Sequence, residues 1–151
     1  MLVPVFRRWS SAGSLLILAS LMLASCNPGA DKDQAEQIGK AYFDAIQVHD
    51  YERAASFYAP QFYERTPRDK WLGTLRSIND KLGDLQSYQE MKWNVRASAT
   101  TSGGGTAVEL EYRVIYSKYP AEETFTLTKP AGTNTFQIIG HRVNSEGFVQ
   151  E

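Results

Sequence analysis

The chain has 151 residues, room for one domain of ordinary size, and its 42% apolar and 12% aromatic content suffices for a single packed core. Sixteen basic residues face seventeen acidic ones, a net charge of −1, which argues against the basic face that nucleic acid calls for. A single cysteine, Cys26, excludes an internal disulfide and the multi-thiolate zinc and iron–sulfur sites. The two histidines, His49 and His141, stand in no metal-binding frame, so no metal and no cofactor are expected.

At the N-terminus Arg7 and Arg8 precede an apolar run from Leu15 to Leu23, followed by Ala24, Ser25 and Cys26. That is the order of a secretory signal peptide. The run is about half of the roughly 20 residues that a membrane-spanning helix needs, so export and cleavage are expected rather than spanning. Leu23-Ala24-Ser25-Cys26 resembles the lipobox of bacterial lipoproteins. The resemblance implies that residues 1–25 are removed and that Cys26 becomes an N-terminus carrying diacylglycerol and, in many bacteria, a further acyl chain such as palmitate. Two or more chains, at about 0.8 kcal/mol per buried methylene, hold a protein stably on a membrane. Asn27 follows the cysteine where an inner-membrane lipoprotein commonly has aspartate. The expected address is therefore the bacterial cell envelope, at the periplasmic face of the outer membrane if the organism is Gram-negative. After cleavage 14 basic residues remain against 17 acidic ones, a net charge of −3. Residues 26–32 read as a lipidated tether, on the order of 20 Å when extended.

The folded domain is expected over residues 33–145, with 146–151 as a C-terminal tail. Asp33-Gln34-Ala35-Glu36 reads as a capping box, and Ile38, Ala41, Tyr42, Ala45, Ile46 and His49 recur at helical spacing behind it. Asp50 is placed to cap a short second helix with Ala54, Ala55, Phe57 and Tyr58 inward, ended by Pro60. Thr66-Pro67-Arg68-Asp69 opens a third, along which Trp71, Leu75, Ile78 and Leu82 trace one face until Gly83.

From Asp84 the period changes to alternation. In the first strand Gln89, Met91, Trp93, Val95 and Ala97 are expected to face the helices, with Tyr88, Glu90, Lys92, Asn94 and Arg96 on the wet side. A turn at Ser102-Gly103-Gly104-Gly105 leads to a second strand with Val108, Leu110, Tyr112, Val114 and Tyr116 inward and Glu109, Glu111 and Arg113 outward. Phe125 and Leu127 alternate with threonines in a third strand, Pro130 to Asn134 turn the chain, and Phe136 to Val143 form the fourth. The predicted class is α+β, with three N-terminal helices packed on a curved four-stranded antiparallel sheet.

That order, with "AEQIGKAYFDAIQVHDYERAASFYAPQFY", "DKWLGTLRSINDKLG" and "EETFTLTKPAGTNTFQIIGHRVNS", resembles the nuclear transport factor 2-like superfamily across about Asp33 to Ser145. The resemblance implies a cone, in which the sheet wraps the first helix and often leaves a cavity at its open end. Superfamily members include isomerases and dehydratases as well as domains that only bind or scaffold, and fold alone does not choose among them.

An acid–base enzyme of this shape needs an ionisable group aimed into the apolar interior. No charge falls on the predicted inward stripes, and Asp44 lies away from the first helix's apolar face. His49 is in line with that face, although a histidine at a helix C-terminus is also favoured by the dipole. His141 sits in a strand that is apolar on both faces. Tyr42, His49, Tyr58, Trp71, Tyr112 and Tyr116 are the candidate pocket-lining residues, with plain core packing as the alternative role of the aromatics. No residue is assigned as catalytic, since neither a nucleophile elbow nor a phosphate loop is present. The expected function is a membrane-anchored, non-enzymatic binding or scaffold domain whose partner is an envelope protein or a small apolar ligand. The alternative is a cone-type isomerase, dehydratase or hydrolase using His49 or His141.

Overall fold

A computed structural model describes residues 28–98 and 104–150 of the chain. The expected signal peptide, Cys26 and part of the Ser102–Gly105 turn lie outside the described residues. Within them are four helices, α1 (Pro28–Gln47), α2 (Tyr51–Ala55), α3 (Pro60–Arg65) and α4 (Arg68–Leu82). Four strands follow, β1 (Leu85–Ser98), β2 (Gly105–Tyr116), β3 (Ala121–Pro130) and β4 (Gln137–Asn144), and then a 3-10 turn, Glu146–Phe148. None of the described helices is long and apolar enough to cross a membrane.

α1 begins five residues before the expected capping box. Pro28 fits a first turn, where its missing N–H costs nothing, and Asp31 complements the positive end of the helix dipole. Glu36 pairs with Lys32 one turn back instead of capping Asp33. Residues 28–32, read from sequence as tether, are thus the first turn of the helix. At its other end His49 takes a left-handed φ of 58°. His49 N–H donates to Ile46 O and Asp50 N–H donates to Ala45 O, both at 2.9 Å, which is a Schellman-type stop.

The expected second helix is two short ones. Asp50 does cap α2, accepting from Arg53 N–H at 3.0 Å, but α2 stops at Ala55. The chain then extends so that Ile138 N–H donates to Phe57 O and Ala59 N–H donates to Ile138 O, each at 2.9 Å. Pro60 consequently opens α3 rather than ending α2. Thr66 does not cap α4, which begins behind Pro67 without a side-chain cap and ends at Gly83, φ 88°.

The sheet is an antiparallel meander in the order β1-β2-β3-β4. Val108, Leu110, Tyr112, Val114 and Tyr116 of β2 are buried, as alternation requires. β1 departs from the expected faces. A bulge between Glu90 and Lys92 shifts its register, so that Tyr88 and Glu90 sit opposite Val114 and Tyr112 while Trp93 and Val95 sit opposite Leu110 and Val108. An extra residue in one strand lets both halves keep the same face. Glu90, expected outside, is therefore on the inner face, and Gln89, expected inside, pairs with Arg113 on the outer one.

Phe43, Leu75, Phe125, Leu127, Phe136 and Ile138 fill the space between helices and sheet. α1 lies so close to β2 that a Cβ on Gly39 would come within 2.9 Å of Tyr112 Oη, and glycine is what allows the approach. Gly147 is buried against Leu82 and Tyr119, so the start of the expected C-terminal tail belongs to the packed domain.

Candidate functional site

β3 presents Ala121, Glu123, Phe125 and Leu127 to the interior, and Glu123 is fully buried among them. Its carboxylate is not alone. His141, on the neighbouring β4, places Nε2 2.9 Å from Glu123 Oε2, and Tyr116 Oη donates to Glu123 Oε1 at 2.5 Å. On the other side of the imidazole, Nδ1 lies 2.7 Å from Tyr58 Oη. The side chains of His141 and Glu123 are 0% and 1% exposed.

The carboxylate sets the donor order along this chain. An ionised carboxylate only accepts, so the imidazole presents its hydrogen to Glu123 from Nε2, and in that neutral tautomer Nδ1 accepts from the Tyr58 hydroxyl. The Tyr42 and Trp71 rings pack edge-on against Tyr58, with centroids 6.2 and 5.3 Å away, and the Trp71 indole N–H is buried without a hydrogen-bond partner. Glu123 receives two hydrogen bonds, from His141 and Tyr116, which is what a buried carboxylate requires. Burial pushes the Tyr42, Tyr58 and Tyr116 hydroxyls well above the usual phenol range, and the Glu123 charge adds to the rise in each.

Rings pack around the cluster. His141 stacks on Phe125 with centroids 4.3 Å apart, and Tyr42 and Trp71 meet it edge-on at 5.4 and 5.7 Å. Four of the residues expected to line a pocket, Tyr42, Tyr58, Trp71 and Tyr116, thus converge on one buried chain. Tyr112 is nearby but packs with Phe43 and Tyr88. His49 is not brought to the site: its side chain is 49% exposed, and Nε2 lies 3.1 Å from Asp84 Oδ1 at the far end of α1. Glu123 was missed in sequence. Continuing the Phe125–Leu127 alternation two residues toward the N-terminus would have placed it inside.

Both ring nitrogens of His141 are engaged within the protein, so the imidazole has no free nitrogen for a substrate. What is accessible is an open groove of about 730 Å³ between α4 and β4. Trp71, Thr74, Ile78 and Lys81 line one wall and Val143 and Phe148 the other, and His141 is also among the lining residues.

A second ionisable cluster lies on the inner face of β1. Lys32 Nζ is 2.5 Å from Glu36 Oε1 and 3.2 Å from Glu90 Oε1. Glu90 Oε2 is buried with no donor facing it. Hydrogen bonding to Glu90 holds the Glu36 carboxyl below its usual range, whereas burial, and then Glu36, push Glu90 up. Among the described residues no group of three or more His, Cys, Asp or Glu could hold a metal ion.

No protein-family profile matches the chain, and no curated protein matches it. Solved structures with a similar backbone include a proposed dehydratase from the NTF2-like family of Streptomyces avermitilis, 13% identical, covering 78% of this chain and 96% of that one with a TM-score of 0.46. A protein from Catenulispora acidiphila is 12% identical, covers 81% and 96%, and has a TM-score of 0.48. A proposed scytalone dehydratase from Novosphingobium aromaticivorans is 12% identical over 78% and 85%, with a TM-score of 0.46.

Proposed function

We propose that the chain is a bacterial envelope lipoprotein, anchored through acyl chains on Cys26, whose cone-shaped nuclear transport factor 2-like domain binds a partner and does not transform it. The lipobox-like Leu23–Cys26 supports the address. One observation carries the non-enzymatic reading: the side chain of the sole inward histidine among the described residues is buried, with Tyr58 on one nitrogen and Glu123 on the other. A general base must reach the proton it removes, and this one is occupied and covered.

The α4–β4 groove is the proposed binding surface. It combines apolar walls from Trp71, Ile78, Val143 and Phe148 with the Lys81 ammonium at the edge, which suits a small apolar ligand or an apolar segment of an envelope protein. Binding of an apolar fluorescent probe such as anilinonaphthalene sulfonate tests it. Ile78→Glu, which sets a carboxylate in the wall, is expected to weaken binding roughly tenfold or more, since each 1.4 kcal/mol is a factor of ten. Equal binding by the variant would remove the groove from the proposal.

A second reading, an isomerase, dehydratase or hydrolase, draws on the Tyr58–His141–Glu123 chain itself, which has the order of a proton relay. It requires the interior to open to solvent, which exchange of the imidazole N–H would report.

A further inference from the structure

We infer that the rim of the sheet beside the start of α1, with Trp93 as its anchor, rests in the headgroup layer of the bilayer. The inference rests on the proposed acylation of Cys26 and goes on to say which face of the domain meets the lipid.

Covalent geometry supplies the constraint. Cys26 and Pro28 are two residues apart, at most about 7.6 Å between Cα atoms. α1 starts at Pro28, so no long flexible spacer stands between an acylated Cys26 and a rigid helix packed on the sheet. The first turn of α1 is held near the membrane surface, and 20 residues of helix carry its other end about 30 Å away.

Trp93 is beside that first turn. Lys32 Nζ lies 5.8 Å from the centre of its ring. Trp93 stands opposite buried Leu110 on the inner face and is nevertheless 50% exposed. A half-exposed indole, apolar in body and polar at one edge, is suited to the boundary between headgroups and acyl chains.

The lysines at this end of α1 have carboxylate partners. Lys32 is held by Glu36 and Glu90, and Lys129 by Asp31. The occupant is therefore a zwitterionic bilayer interface, and its contact with Trp93 does not depend on anionic lipid or on salt.

The test uses the processed, acylated protein in phosphatidylethanolamine–phosphatidylcholine vesicles with brominated acyl chains. Trp71 and Trp93 are the tryptophans left after cleavage. Wild-type fluorescence is expected to be quenched relative to unbrominated vesicles, equally at low and high salt. Trp93→Phe is expected to float with the vesicles as wild type does while losing the quenching. Flotation of the wild type without quenching, or quenching that survives in Trp93→Phe, would overturn the docking face and leave the anchor standing. Failure of the wild type to float would overturn the anchor, and the docking face with it.

Discussion

Glu123 is a residue whose worth lies in the groups it satisfies. Replaced by leucine, it would leave the His141 Nε2–H and the Tyr116 hydroxyl as buried donors without acceptors. At roughly 1–3 kcal/mol per orphaned group, Glu123→Leu is expected to destabilise the domain by about 2–5 kcal/mol in chemical denaturation, and an unchanged midpoint would contradict the network. The gain from removing a buried charge is outweighed because both of its partners remain. Two residues apart from Phe125 on an alternating strand, Glu123 was legible in sequence, but the third strand's inward stripe was read only from Phe125 onward. His141 was less legible, since β4 is apolar on both faces and periodicity could not decide where it points. His49 misled for a related reason. Helical phase places it in line with Tyr42, yet the helix has already ended there and the left-handed backbone turns it out to solvent.

That helix end carries a prediction of its own. A left-handed conformation costs a non-glycine residue about 1–2 kcal/mol, and the exposed contact with Asp84 returns little of it. His49→Gly is expected to leave stability unchanged or raise it by up to about 1 kcal/mol, and to leave probe binding at the groove unaltered. A thermal melt and a binding curve check both, and lost binding would restore His49 to the site. Among the elements, β2 was the most readable because both of its edges are paired and a single alternation runs its length. β1 was the least, because its bulge is set by register against β2 and leaves no local signature. The extension of α1 back to Pro28 was missed because the capping-box pattern at Asp33 is equally compatible with a helix interior, where Glu36 pairs with Lys32 instead.

At the scale of the molecule, the order of helices and strands followed from turn residues and from the change of period at Asp84, whereas the groove did not. It depends on how α4 sits against the edge of β4, a relation between segments distant in sequence. The same packing gives the domain an alkaline limit. Tyr42, Tyr58, Tyr112 and Tyr116 have hydroxyls raised above the free phenol value of 10.0, chiefly by burial. Folding-state pKa values above the unfolded value mean that the native state holds the protons. Their stabilising effect is complete below about pH 10 and is lost as pH rises beyond it. Absorbance at the phenolate band and circular dichroism are expected to change together above that pH, in one cooperative transition. Ionisation of these tyrosines with the fold intact would contradict their burial.

The most direct test of a closed, internally satisfied interior is a nitrogen–proton correlation spectrum of the His141 imidazole in the folded protein. The expected result is a single tautomer with hydrogen on Nε2, protected from exchange with water. A hydrogen on Nδ1 would contradict the donor order assigned to the chain, and a ring N–H lost to rapid exchange would show the imidazole open to solvent and remove the observation that carries the non-enzymatic reading.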